Sequence, residues 1–312
     1  MLSTSILLFL GSNAFAQDPA FSQYYFTPNY TNPALAGTGK SCGGRATVGY
    51  RNQWGTYETY QASYDRQFDK LKGGLGALLT NDVAGSGLFT TTSFGLQYAI
   101  QIKLTDSLKL RLGAQASFVY KSLDFSKLTF SDMIEPRSGF PIPTNEPPPP
   151  SSITFPNFAA GALLYNHKYY VGFAAHNILE PNQSFYNSTA PVAKLPLRFT
   201  VHGGYKIPLG KAGHVTPTFL VMGQRQFVQM NIGFLAGYKK FEAGVFFRQT
   251  RPNSDAAMFV LGFKGKKFAA FYSYDVTVSD ARVAATGSHE LTLAYHFHCK
   301  KGGSGTSFSF HQ

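Results

Sequence analysis

Long stretches of strict two-residue alternation constrain this chain more than any other feature. Phe94, Leu96, Tyr98, Ile100, Ile102 and Leu104 alternate with Ser93, Gly95, Gln97, Ala99, Gln101 and Lys103. The next segment repeats the pattern, with Leu108, Leu110, Leu112, Ala114, Ala116, Phe118 and Tyr120 set against Lys109, Arg111, Gly113, Gln115, Ser117 and Lys121. Leu197, Phe199, Val201, Tyr205 and Ile207 alternate with Arg198, Thr200, His202, Gly204 and Lys206 in the same way. Such a period predicts strands with one apolar and one polar face. Ten or more residues exceed the usual strand of about 5–6 and match the about 9–11 tilted residues that cross a bilayer.

Fourteen segments of this kind are predicted, near 45–51, 58–68, 73–80, 90–104, 107–121, 157–166, 168–177, 195–208, 213–222, 227–238, 240–248, 256–264, 266–277 and 288–298. Their connections alternate in length. Short ones fall at 69–72, 105–106, 166–167, 210–212, 239–240 and 265. Longer ones fall at 81–89, 122–156, 178–194, 249–255 and 278–287, with 223–226 the exception. An even strand count, with short periplasmic turns and longer external loops, is the pattern of a transmembrane barrel. A soluble sandwich has no such odd–even rule and keeps a polar outer face.

Composition agrees. Asp, Glu, Lys and Arg make up 14 % of the chain, against about 25 % in soluble domains. The aromatic load excludes disorder, and two cysteines exclude a disulfide scaffold. After the first 16 residues no apolar run reaches the about 18 that a membrane helix needs. The expected fold is therefore all-β, a transmembrane outer-membrane β-barrel of about 14 antiparallel strands.

The apolar core from Ile6 to Leu10 and the Ala14-Phe15-Ala16 motif predict a signal peptide over 1–16, cleaved after Ala16. That stretch carries no Lys or Arg, and the competing reading is a buried N-terminal strand. The expected division is then an N-terminal periplasmic or plug-like segment over 17–44, the transmembrane barrel over 45–298 and a tail over 299–312. Cys42 precedes the first strand and Cys299 follows the last, and barrel closure makes those strands neighbours. Export permits a disulfide across that seam; two free thiols are the alternative. The tetraproline before Ser151 predicts a stiff polyproline II stretch, a docking element or a rigid spacer.

Lys70, Lys72, Lys168, Lys211, Lys239, Lys240, Lys266, Lys267, Lys300 and Lys301 lie in or beside the short turns and the tail. Much of the net charge of +12 is thus expected on one face, where it would steer an acidic periplasmic protein or meet lipid headgroups. Lys109, Arg111, Arg198 and Lys206 fall on inward positions, so the lumen is expected to lean basic. No nucleic-acid recognition motif is present.

Little in the chain points to catalysis. There is no Gly-x-Ser-x-Gly elbow, and Gly73-Gly74-Leu75-Gly76 lacks the Lys-Ser/Thr of a phosphate loop. His296, His298 and Cys299 would need a fourth ligand to hold a metal. His289 and Glu290 are adjacent on a strand and face opposite ways, which leaves them rim or loop hydrogen bonding. Neither a catalytic residue nor a cofactor or metal site is expected.

The N-terminal segment carries a more specific signal. Asp18-Pro19-Ala20-Phe21-Ser22-Gln23-Tyr24-Tyr25, then Pro28, then Asn32-Pro33-Ala34-Leu35-Ala36-Gly37, strongly resembles the opening signature of the PorP/SprF family. The likeness continues through Tyr50-Arg51-Asn52-Gln53-Trp54, Gly74-Leu75-Gly76 with Asn81-Asp82 and Gly85, and Tyr169-Tyr170-Val171-Gly172-Phe173. It closes with Tyr272-Ser273-Tyr274-Asp275-Val276 and Gly287-Ser288-His289-Glu290-Leu291. The stretch 122–156 and the tail after Phe297 depart from it, leaving Phe297 or Phe310 as the terminal aromatic. The resemblance implies an outer-membrane barrel of the type IX secretion and gliding machinery. Its implied partners are periplasmic ring or motor-linked subunits and exported cargo, such as adhesins, with a C-terminal sorting domain. It implies no catalysis.

Phe21, Tyr24 and Tyr25 amid Pro and Asn form an extended aromatic stretch with no strand partner of its own. Such a stretch is expected to pack under or inside the barrel mouth, plugging the lumen or presenting a surface to cargo; a strap finishing the barrel floor is the alternative. Two functions follow: a cargo adaptor or anchor for export, and a diffusion or uptake channel.

Overall fold

The computed structural model describes residues 18–39, 43–128, 131–133, 150–185, 193–251, 256–278 and 287–297. One antiparallel sheet runs through β1 (Arg45–Gln53), β2 (Tyr57–Phe68), β3 (Gly73–Ala84), β4 (Phe89–Lys103), β5 (Lys109–Leu123), β6 (Ser152–Tyr165) and β7 (Tyr169–His176). It continues through β8 (Arg198–Tyr205), β9 (Ile207–Leu209), β10 (Gly213–Gln224), β11 (Phe227–Tyr238), β12 (Phe241–Arg251), β13 (Ala256–Lys264), β14 (Phe268–Thr277) and β15 (Ser288–His296). β8 and β9 both pair with β10. They are one stave interrupted at Lys206, so the barrel has 14 staves. β1 pairs β15 from Arg45 opposite His296 to Gln53 opposite Ser288, which closes it.

Alternation sets the two faces, and the apolar set points outward. Leu96, Phe118 and Leu261 are 58 %, 67 % and 66 % exposed, while Gln97, Arg111 and Ser117 are buried inside the ring. In water, so much exposed apolar surface would mark an interface or an aggregation site; in a bilayer it is the lipid face.

The expected strands recur, with one systematic difference. β1, β3, β5, β10 and β12 run two to four residues further than the alternation predicts at the long-loop end, and β6 begins five residues earlier. These extensions include Asn81, Asp82 and Ser152, where both faces are polar or mixed. They lie beyond the apolar band, so apolar–polar alternation has no reason to persist there, yet backbone pairing continues. The walls therefore stand proud on that side.

At the opposite end Lys70, Lys72, Lys168, Lys211, Lys239, Lys240, Lys266 and Lys267 are all exposed on or beside hairpin turns. The predicted signal peptide at 1–16, the Cys42–Cys299 bond, most of the tetraproline, His298, Phe310 and the tail 299–312 lie outside the described residues. Phe297 is described. It packs edge-on against Tyr64 and Tyr295, and its N–H donates to the Gly44 carbonyl.

Candidate functional site

Residues 18–39 lie inside the barrel, but the expectation of an extended stretch needs correction. Local hydrogen bonds fold the segment compactly. Phe26 and Thr27 donate to the Gln23 carbonyl at 2.8 and 3.2 Å. Pro28 opens a single helical turn, Pro28–Thr31, where its missing N–H costs nothing. Asn32 then accepts from the Ala34 N–H (2.9 Å) and caps the turn Pro33–Leu35.

The Asn-Pro-Ala-Leu-Ala-Gly run sits directly on wall backbone. Asn32 Nδ2 donates to the carbonyls of Ala162 and Phe173, both at 3.1 Å, and meets His202 Nε2 at 3.1 Å. A Cβ on Gly161 would stand 2.0 Å from Asn32 Oδ1, and one on Gly113 2.3 Å from the Ala34 nitrogen. These two glycines make the notch into which the segment fits. Arg111 donates to the carbonyls of Ala34 (2.9 Å) and Ala36. Asp65, paired with Arg45 at 2.9 Å, accepts the Gly37 N–H at 2.7 Å.

A second anchor holds Ser22 and Gln23. Glu290 accepts the Ser22 N–H at 2.7 Å and the Gln23 N–H at 3.0 Å. Ser22 Oγ donates to Asp275 at 2.6 Å. Arg51 joins the two acids, at 3.0 Å from Glu290 and 3.1 Å from Asp275, and Arg248 meets Asp275 at 3.0 Å. All four charged side chains are buried. Breaking such a pair leaves a buried charge uncompensated, at about 3–5 kcal/mol.

Between the anchors, Tyr24, Tyr25 and Phe26 pack on Leu235, Phe246, Met258, Val260 and Phe271, with Tyr25 stacked on Phe246 at 5.1 Å. The inner wall at β10–β14 thus carries an apolar patch among its polar inward residues. Tyr30 donates to the Pro19 carbonyl and meets Arg198, which pairs with Asp18 at 3.3 Å. Burial pushes the Tyr30 phenol up to about 12, the Arg198 charge opposing.

The inward bases Arg45, Arg51, Arg111, Lys121, Arg198 and Arg248 stand beside the acids Asp65, Asp82, Glu242, Asp275 and Glu290, and many of these charges are paired or engaged by the N-terminal segment. One expectation changes. Adjacent-residue parity separates His289 and Glu290 as expected, with His289 outward against Tyr272. Glu290, however, is a buried anchor and not a rim group. The sequence signal for it was parity with Arg51, its cross-strand neighbour, visible only once the seam is closed.

The N-terminal segment fills the short-turn side of the lumen. Above it remains a cavity of about 520 Å³ toward the long loops, floored by Asp18, Pro19, Ala20 and Tyr30. Among the described residues no group of three His, Cys, Asp or Glu is placed to hold a metal.

Over residues 13–295 the chain matches the family described as type IX secretion system membrane protein PorP/SprF. No curated protein matches it in sequence. Among solved structures it is similar to the CymD monoaromatic hydrocarbon channel, at 9 % identity and a TM-score of 0.53, over 88 % of this chain and 93 % of that one. It is also similar to the Ralstonia pickettii toluene transporter TbuX, at 11 % identity and a TM-score of 0.50, over 86 % and 93 %. At such identity these structures share the fold.

Proposed function

The chain belongs to the PorP/SprF family of type IX secretion system membrane proteins, and on that premise we propose that it is a closed adaptor or anchor for export. It is an outer-membrane barrel associated with that machinery. The observation that favours an adaptor over a diffusion or uptake channel is the filled lumen. Residues 18–38 are fixed to the wall by two buried charge clusters and a glycine notch.

In this role the N-terminal segment keeps the barrel sealed and rigid. The exposed lysines of the short turns would face the periplasm, since short turns lie there in such barrels, and offer a basic surface to ring or motor-linked subunits. Cargo with a C-terminal sorting domain would be held at the barrel while another component carries it across. The role is non-catalytic.

The test compares proteins released by a clean deletion strain with those of its complemented parent, by quantitative mass spectrometry. Selective loss of one or a few proteins bearing sorting domains is expected. An unchanged secretome, with the barrel present in the outer membrane, would reject the export role. Steady ion conductance of the purified intact barrel in a planar bilayer would favour the channel.

A further inference from the structure

We infer that the cavity above the N-terminal segment is a binding site for an extended polypeptide, read through its backbone by Asp82 and Lys121. The site stands on the chemistry of the wall and holds whether or not the barrel takes part in export.

The wall already binds one polypeptide, its own N-terminal segment, and does so by a consistent rule. Carboxylates take backbone N–H groups: Glu290 those of Ser22 and Gln23, Asp65 that of Gly37. Cationic and amide side chains take backbone carbonyls: Arg111 those of Ala34 and Ala36, Gln97 that of Asn29 at 2.6 Å. An ionised carboxylate only accepts, and a guanidinium or ammonium only donates, so each recognises one half of the peptide unit.

The same alphabet continues into the cavity, beyond the reach of the N-terminal segment. Strand register places Glu290, Arg51, Thr59, Asp82, Thr91 and Lys121 in one unbroken row across β15, β1, β2, β3, β4 and β5. The N-terminal segment covers the Glu290 end. Asp82 and Lys121, at the other end, both line the cavity. Asp82 accepts from Thr59 at 2.7 Å, and Lys121 donates to the Gln183 side chain and lies over the rings of Phe89 and Phe155. Among the described residues neither forms an ion pair.

Two strand spacings separate them, roughly 10 Å, which is about three residues of extended chain. Thr91 lies between them. An acid and a base at that spacing fit a donating N–H and an accepting carbonyl of one extended segment entering from the long-loop side. The volume, about 520 Å³, is in the range of ordinary ligand sites, about 300–1,000 Å³.

Trp54, the sole tryptophan of the chain, lines the same cavity and reports its occupancy. The full-length barrel in detergent is titrated with a pool of randomised, end-capped hexapeptides while Trp54 fluorescence is followed, with maltohexaose as the sugar control. A saturable change with peptide is expected. Asp82→Asn and Lys121→Gln, each keeping the gel mobility of the folded barrel, should each weaken it about tenfold, as for loss of a hydrogen bond to a charged group. No peptide response, a response in both variants equal to the parent's, or saturation by the sugar and not the peptides would overturn the proposal. Should a variant fail to fold, protection of a Thr91→Cys thiol from maleimide by the peptide pool decides the matter, and absence of protection overturns it.

Discussion

Asn32 Oδ1 occupies the place that a Cβ on Gly161 would need, 2.0 Å away. An inward residue on β6 and the centre of the N-terminal signature thus specify each other. Gly161→Ala is expected to lift the Asn32–Gly37 stretch off the wall, at the about 1–3 kcal/mol typical of overpacking. Gly95→Ala serves as comparison: its Cβ would meet Gln115 and Ser117 side-chain atoms at 3.1 Å, not backbone. Urea unfolding, read by loss of heat-resistant gel mobility, should separate the two.

Glu290→Gln removes the charge that compensates Arg51 while keeping the shape. Arg51 would then share only Asp275 with Arg248. A loss of about 3–5 kcal/mol is expected, with chymotrypsin cutting at the aromatic residues of 18–39, Phe21, Tyr24 and Tyr25 among them, at concentrations that spare the parent. An equally protected segment would show that the anchor is dispensable.

Sequence alternation made the barrel legible because bilayer and lumen impose opposite polarities on successive residues. It failed where that contrast vanishes. Asn81 to Ala84 stand above the apolar band, beyond the predicted end of β3. On the correctly predicted β11–β14, by contrast, the inward Leu235, Phe246, Met258 and Phe271 carry no polar mark because they face Tyr24 to Phe26. The signature itself pointed to residues 18–37, but not to their partners. Glu290 meets Ser22 across a separation of 268 residues, and no local pattern encodes such a contact.

Leu96 and Gln97 test the assignment of faces with neighbouring residues. Leu96→Arg puts a charge on the lipid face and should cost about 2–4 kcal/mol near the midplane, seen as reduced assembly into the outer membrane. Gln97→Leu leaves lipid contact unchanged but removes the donor to the Asn29 carbonyl. It should assemble normally and lose about 1–3 kcal/mol of stability, the cost of an unmet buried acceptor.

Deleting residues 18–37 should convert a closed barrel into an open one. Nothing else among the described residues fills the short-turn side of the lumen, and barrels of this size enclose an aqueous space unless side chains or inserted segments occupy it. Planar-bilayer recording should show steady conductance from the deletion and near silence from the intact chain. Silence from both, with the deletion correctly folded, would mean that the wall collapses inward.

Tyr30 gives the N-terminal segment an alkaline limit. Its phenol titrates near 12 in the folded barrel because burial disfavours the phenolate, against an ordinary value near 10. The folded state therefore holds this proton more tightly than the unfolded chain. The contribution is complete below pH 10 and is lost as pH rises from 10 through 12. Urea midpoints of the parent should fall across that window more steeply than those of Tyr30→Phe, which has no proton to lose. Every other group is common to both proteins, so the difference isolates Tyr30. Parallel curves would place the phenol in contact with water and the floor of the cavity ajar.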